Sequence, residues 1–134
     1  IVHFSNFFRY MERGEHAFLR SLGLSVREDP ELIPADERVA WPRVHAFCDF
    51  HAPLRFEEEV MIEVLVEEVR TRAIRYLIRL WRPDGELAGE GRMAAACVQK
   101  DAETGKMKAV EIPARIRSKI EAAPAELLKR PARA

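Results

Sequence analysis

Several residues able to do chemistry crowd the opening of the chain, IVHFSNFFRYMERGEHAFLRSLGL. Ser5 or Asn6 supplies a side-chain oxygen suited to capping a helix. A buried helix start holds backbone N–H groups that have no partner within the helix and lie at the positive end of its dipole, so it can hold an oxyanion. Capping by Ser5 and Asn6 and the holding of a carbonyl share one geometry, and both readings stay open. His3 stands just before the start, where a neutral imidazole can position a water or donate to a carbonyl. Its plainer reading is a packed or solvent-bonded histidine. Glu12 and Glu15 are the carboxylates of this helix, and Glu12 reads most simply as an ion-paired residue beside Arg9 or Arg13, near a subunit contact. Asp49, between Phe47 and Phe50 on a strand, is a weaker candidate of the same kind.

Other chemistries find no support. His16, His45 and His51 have no metal-ligand spacing, so no metal site is expected. There is no phosphate-binding loop, no dinucleotide glycine fingerprint and no Gly-x-Ser-x-Gly elbow. The 22 Lys and Arg balance 22 Asp and Glu, so no overall field points to nucleic acid or an anionic membrane. Nor are the cations interleaved with an aromatic stacking platform. No apolar run is long enough for a membrane span.

The elements that position these residues follow from periodicity. Phe7, Met11, Gly14, Phe18 and Leu22 fall on one helical face, widened by Phe4, Phe8, Tyr10 and Leu19, which predicts a buried helix from Ser5 or Asn6 to about Leu22 with Gly23 as its stop. Gly14 in mid-helix predicts close approach to another backbone, because glycine there costs about 1 kcal/mol against alanine. A polar stretch with Pro30, Pro34 and Pro42 follows. Alternation then predicts strands over 44–50, 60–67 and 74–81, a turn at Pro83-Asp84-Gly85, and a strand ELAGEGRMAAACVQK whose small residues predict a tightly packed neighbour. A second turn over 101–105 leads into an edge strand KMKAVEIP, a short helix ARIRSKIEAA and a tail expected to fray. At 134 residues this is one domain, expected over 1–121 with a tail over 122–134. Cys48 and Cys97 read as buried thiols in a reducing cytoplasm, and no leader is visible before Ile1.

A long helix followed by four or five antiparallel strands fits an α+β hotdog, a single domain with a central helix wrapped by sheet. A cystatin-like carrier shares that order. The fragments IVHFSNFFRYMERGEHAFLRSLGL, HAPLRFEEEVMIEV, the strand ending CVQK and the later KMKAVEIP tilt the choice, because in this order they resemble the 4-hydroxybenzoyl-CoA thioesterase-like acyl-CoA thioester hydrolases over about 1–120.

The resemblance implies an acyl-CoA thioesterase that works without metal or organic cofactor, in the cytoplasm, as a homodimer or homotetramer whose cleft lies between subunits. It implies that the thioester carbonyl meets the N–H of Phe4, the helix start where the residues themselves offer His3 and Asn6. It also implies a catalytic Asp about four residues upstream of Ile1, outside the given sequence. Glu12 is the alternative carboxylate, because a related hotdog branch uses a helix Glu. Coenzyme A would need cations, for which Arg72, Lys106 and Lys108 are the candidates, with Thr71 bonding the pantetheine amides. The rival function is a non-catalytic hotdog that binds acyl-CoA or an acyl carrier protein. A hotdog dehydratase would need a His–acid pair that is not seen. Acyl specificity is not legible.

Overall fold

The computed structural model describes residues 5–54 and 58–129. Helix α1 runs Ser5–Ser21. It ends where expected: Gly23, at φ 74°, donates to Arg20 O (3.0 Å) while Leu24 N–H reaches back to Leu19 O (2.8 Å), the paired closure that a left-handed glycine permits. The strands are β1 Arg43–Phe50, β2 Met61–Val69, β3 Ala73–Trp81, β4 Leu87–Ala96, β5 Val98–Lys100 and β6 Met107–Ala109, with short helices α2 Ala114–Arg117 and α3 Ala125–Leu128. The first four strands form one antiparallel sheet in the order β1-β4-β3-β2, and β5 and β6 form a separate hairpin. The architecture is α+β, with four sheet strands and a short second pair in place of a single sheet of about five.

Three details depart from the alternation pattern. The chain does not lay its strands down in sequence order, since β1 joins the far side of β4. The small-residue strand divides at Cys97: Leu87–Ala96 stays in the main sheet, Cys97 N–H bonds Arg72 O (2.8 Å), and Val98–Lys100 turns off to pair with β6. The helix expected over 114–123 is regular only at Ala114–Arg117. Its Ile116 and Ile120 join the core, and Arg115 grips Glu28 with two nitrogens (2.5 and 2.6 Å), which ties the proline-rich stretch to this end of the sheet.

Helix α1 lies along β4 because two repeats match. Four helical residues advance about 6 Å and two strand residues about 6.6 Å. Phe7 therefore rests on Gly89 and Met11 on Gly91. A Cβ on Gly89 would lie 3.0 Å from the Phe7 ring, and one on Gly91 would lie 2.5 Å from Met11 Cε. These glycines are the floor that lets the helix descend. Gly14 does the reciprocal job, since a Cβ there would meet Ile62 Cγ2 at 2.7 Å and Val64 Cγ2 at 2.8 Å. Its close neighbours are thus strand side chains and not the backbone that a mid-helix glycine predicts. The opposite side of the helix, with Phe8, Arg9, Glu12 and Arg13, faces out, so the helix is covered on one side only within the chain.

Helix propensity alone favours Gly14→Ala by about 1 kcal/mol. The stiff β-branched side chains beneath it leave no room, and we expect the substitution instead to lower stability by about 1–3 kcal/mol, the usual cost of overpacking. Urea unfolding of the two proteins checks the sign.

Candidate active site

The helix start sits at one end of the sheet. Phe7 meets the edge of Phe50 with ring centroids 4.6 Å apart and covers Gly89, so the first turn is pinned to the last residue of β1 and the early part of β4. That first turn holds no acidic residue. A helix N-terminus carries a partial positive charge, and here its own first turn supplies no carboxylate to meet it. Asn6 is half-buried there. His3 and Phe4 lie outside the described residues.

The helix carboxylates separate in character. Glu12 is exposed, its side chain 51% accessible, and its partner is neither Arg9 nor Arg13 but Arg43, at 3.8 Å. Glu15 is fully buried and accepts a 2.6 Å bond from the same Arg43 guanidinium, which also lies 3.3 Å from His16 Nε2. The second Glu15 oxygen is buried without a hydrogen-bond partner. Burial pushes the Glu15 carboxyl above the usual carboxylate range, against the opposing pull of Arg43 and His16. Burial likewise raises the Tyr76 phenol, and the Glu15 charge adds to it.

Arg43 reaches this place through a bulge that simple alternation does not reveal. The register jumps from Arg43 opposite Ala95 to His45 opposite Ala94, leaving Val44 as the extra residue. Val44, expected to share a face with Ala46 and Cys48, is 64% exposed. Arg43 takes the inward row with Ala95 and Ile74, facing the helix. Asp49 lies on the opposite face, in a row with Glu90, Arg79 and Glu63. Neither cysteine is bonded to the other; burial raises both thiols to about 11, so they are inert packing groups.

The four residues proposed to grip coenzyme A do not converge within one chain. Thr71 lines a cleft of about 640 Å³ with Arg70 and Arg117, and its carbonyl accepts Ile112 N–H (2.9 Å). Lys108 lines a separate groove of about 1220 Å³ with Arg27, Arg38 and Lys100. Lys108 also faces Asp101, whose carboxyl is held low chiefly by the N–H groups of Thr104 and Glu103. Arg72 and Lys106 are exposed and line neither cavity. All four belong to the end of the sheet away from the helix start. Gly89, under Phe7, and Ala96, opposite Ala73, are seven residues apart on β4, about 23 Å at 3.3 Å per residue. Among the described residues no cluster of three or more His, Cys, Asp or Glu suits a metal ion.

Residues 1–88 match the family model described as the Thioesterase superfamily. No curated protein matches the chain. Among solved structures, a gentisyl-coenzyme A thioesterase superposes with a TM-score of 0.69 at 25% identity, covering 89% of this chain and 85% of that one. A hypothetical protein from Thermus thermophilus gives 0.71 at 28% identity, covering 89% and 83%. A mutant 4-hydroxybenzoyl CoA thioesterase complexed with 4-hydroxybenzoyl CoA gives 0.73 at 18% identity, covering 88% and 84%, a likeness of fold alone. The fold is the hotdog.

A carboxyl whose folded pKa stands above its unfolded value costs stability as it ionises, because the folded state then binds more protons than the unfolded one. Wild-type protein should therefore lose stability as pH rises from the ordinary carboxylate range through the raised value of Glu15. Glu15→Gln removes that dependence while its amide oxygen can still accept from Arg43. The stability of Glu15→Gln relative to wild type should thus be higher at about pH 8 than at about pH 4, as read from denaturation midpoints.

Proposed function

The chain belongs to the thioesterase superfamily, and from that membership we propose that it hydrolyses an acyl-CoA thioester to the free acid and coenzyme A. The observation that carries the proposal is the start of α1, a helix N-terminus seated on Gly89 and Phe50 whose first turn supplies no carboxylate of its own. When water adds to the thioester carbon, charge gathers on the carbonyl oxygen, and N–H donors of the helix start would stabilise it where they would do little for the ground state. The C–S bond then breaks, the thiolate leaves and takes up a proton, and the proton lost by water passes through the general base. Hydrolysis consumes only water and thioester, and we propose no metal or organic cofactor.

In this reading the N–H of Phe4 holds the oxyanion, Asn6 and His3 orient the carbonyl or the water, and an Asp upstream of residue 1 is the base. Glu12 is the weaker base candidate, because six residues of helix from Asn6 carry it about 9 Å along the axis and Arg43 already attends it. Thr71, Arg72, Lys106 and Lys108 serve the pantetheine and phosphates. Their distance from the helix start supports a cleft shared by two copies, in which the far end of one chain meets the helix start of the other. Edge strand β1, with Val44 and Phe50 exposed, is the side we propose for that pairing, giving a homodimer at least. No described helix is long and apolar enough to cross a membrane. With both cysteines free, we propose the cytoplasm as its compartment.

Thiol release from benzoyl-, short-chain and long-chain acyl-CoAs, measured on the gene product with its native N-terminus, tests the activity. Turnover of one acyl class, lost when the upstream Asp becomes Asn, is expected. A folded oligomer that releases no thiol from any of them overturns hydrolysis in favour of a binding module. A second substitution separates capping from catalysis. Asn6→Asp caps equally well and suits the helix dipole, so thermal stability should hold or rise. Its charge opposes a developing oxyanion, and kcat should fall by about 10²-fold, comparable to the loss of one donor.

A further inference from the structure

An acyl group whose carbonyl sits at the start of α1 has few directions in which to run. Beneath the helix, the Phe7 ring fills the space over Gly89, and Met11 fills that over Gly91. Toward β2, Gly14 meets Ile62 and Val64 so closely that a single Cβ would not fit. The flank toward β1 is different. Phe8, Glu12 and Glu15 follow the i, i+4, i+7 spacing of one helical row, and Arg43 of β1 meets both carboxylates, so this row faces that strand. The floor in front of it is the inward row of β1, where Phe50, Cys48 and Ala46 pair with Gly89, Gly91 and Met93. Phe8, Phe50 and Ala46 are exposed and Cys48 is half-buried. Helix wall and strand floor make a largely apolar ledge that begins at the Phe7–Phe50 contact and ends at Arg43. Fully buried Glu15 holds one terminal nitrogen of Arg43 at 2.6 Å, and His16 Nε2 lies 3.3 Å from the same nitrogen. The other terminal nitrogen is 3.8 Å from exposed Glu12, too far for a hydrogen bond. With the Arg43 side chain 30% exposed, that side of the guanidinium is open to water.

We propose that the Glu15–Arg43 pair is the length stop of the acyl site and restricts the substrate to acyl groups of about eight carbons or fewer. This specificity rests on the acyl-CoA hydrolysis proposed above. The nine helical steps from Asn6 to Glu15 cover about 13 Å, and a contact distance of about 4 Å to the guanidinium leaves about 9 Å of ledge. A zigzag of bonds of about 1.5 Å advances about 1.25 Å per carbon, so about seven carbons follow the carbonyl carbon. A methylene driven further would strip water from a charge and give no hydrogen bond in return. Nor can the arginine step aside, because its departure would leave the buried Glu15 carboxylate without compensation. An apolar side chain at the same place would change rotamer and welcome the chain.

The test measures, by calorimetry, the binding of S-alkyl-CoA thioethers from ethyl to tetradecyl, which cannot be hydrolysed. Affinity should rise about three- to fourfold per methylene up to about eight carbons and then level off. The double variant Glu15→Leu/Arg43→Leu exchanges a buried ion pair for apolar groups, a change that is often neutral or stabilising. In it the rise should continue through the dodecyl chain. An unbroken rise in the wild-type chain, or a break at the same length in the double variant, overturns the length stop and leaves the hydrolysis reading standing. Binding of no thioether of any length by the folded wild-type chain removes that reading and the stop with it. Should the double variant not fold, Cys48→Leu decides. It adds bulk to the ledge floor at the level of Met11, four helical steps or about 6 Å nearer the helix start than Glu15. The break should then come about four carbons sooner, with the affinity for the ethyl thioether unchanged. A break still at about eight carbons overturns the proposal.

Discussion

The seating of α1 on β4 is the contact from which the rest of this structure follows. Phe7 and Met11 occupy the volume that side chains at positions 89 and 91 would fill, and Gly14 gives the same volume back to Ile62 and Val64. Removing three Cβ atoms brings helix and sheet together from Phe7 to Gly14. The helix axis is thereby fixed in direction and in register, because the match of four helical residues to two strand residues holds for only one alignment. A fixed axis means a fixed helix start, and preorganised donors at the start are what an oxyanion requires. The packing of the core and the chemistry we propose for the N-terminus rest on the same glycines.

Two arginines lock what the glycines position, and both do so through buried carboxylates. Arg43 joins β1 to the middle of α1 through Glu15, and Arg79 joins β3 to Glu90 and to the C-terminal carbonyls. Breaking such a pair leaves a charge without compensation, which is why buried ion pairs specify an arrangement more surely than they stabilise it. The contrast between them is informative. The Arg79 guanidinium makes four hydrogen bonds and a 3.5 Å ion pair with Glu63, whereas the Glu15 pair leaves one carboxyl oxygen without a partner and the carboxyl disfavours ionisation. The Arg43 clamp therefore keeps a residual cost beside the edge strand that we propose for assembly.

Much of this was legible from residue order. The helix, its Gly23 stop, the strands and the small-residue face of β4 each depend on local periodicity or on a backbone conformation that only certain residues adopt. What stayed hidden depends on contacts between distant segments. Nothing in the alternation of residues 44–50 says that β1 lies beside β4 and not β2. The bulge at Val44 is invisible because an extra residue leaves the hydrophobic pattern intact while reversing what precedes it. Arg79, at an outward position of β3, reads like any solvent-facing arginine until the segment nearly fifty residues later is known to fold over it. Glu15 gave the faintest signal, a carboxylate one turn from a better-placed candidate.

The least legible feature is the site itself, and the reason is geometric. A helix of seventeen residues is about 26 Å long, so groups at its start and groups beyond its end cannot meet around one thioester carbonyl in a single chain. In the function we propose, coenzyme A would reach both groups by running the length of the sheet or by passing between two copies. The first route would lay it over the outward side of α1, past exposed Phe8, Arg9 and Arg13. The second needs an open edge, and β1 leaves one with apolar residues at both ends. A sequence describes one copy of the chain. Residues that act together across a two-fold axis lie far apart in that description, and no spacing between them is there to be read.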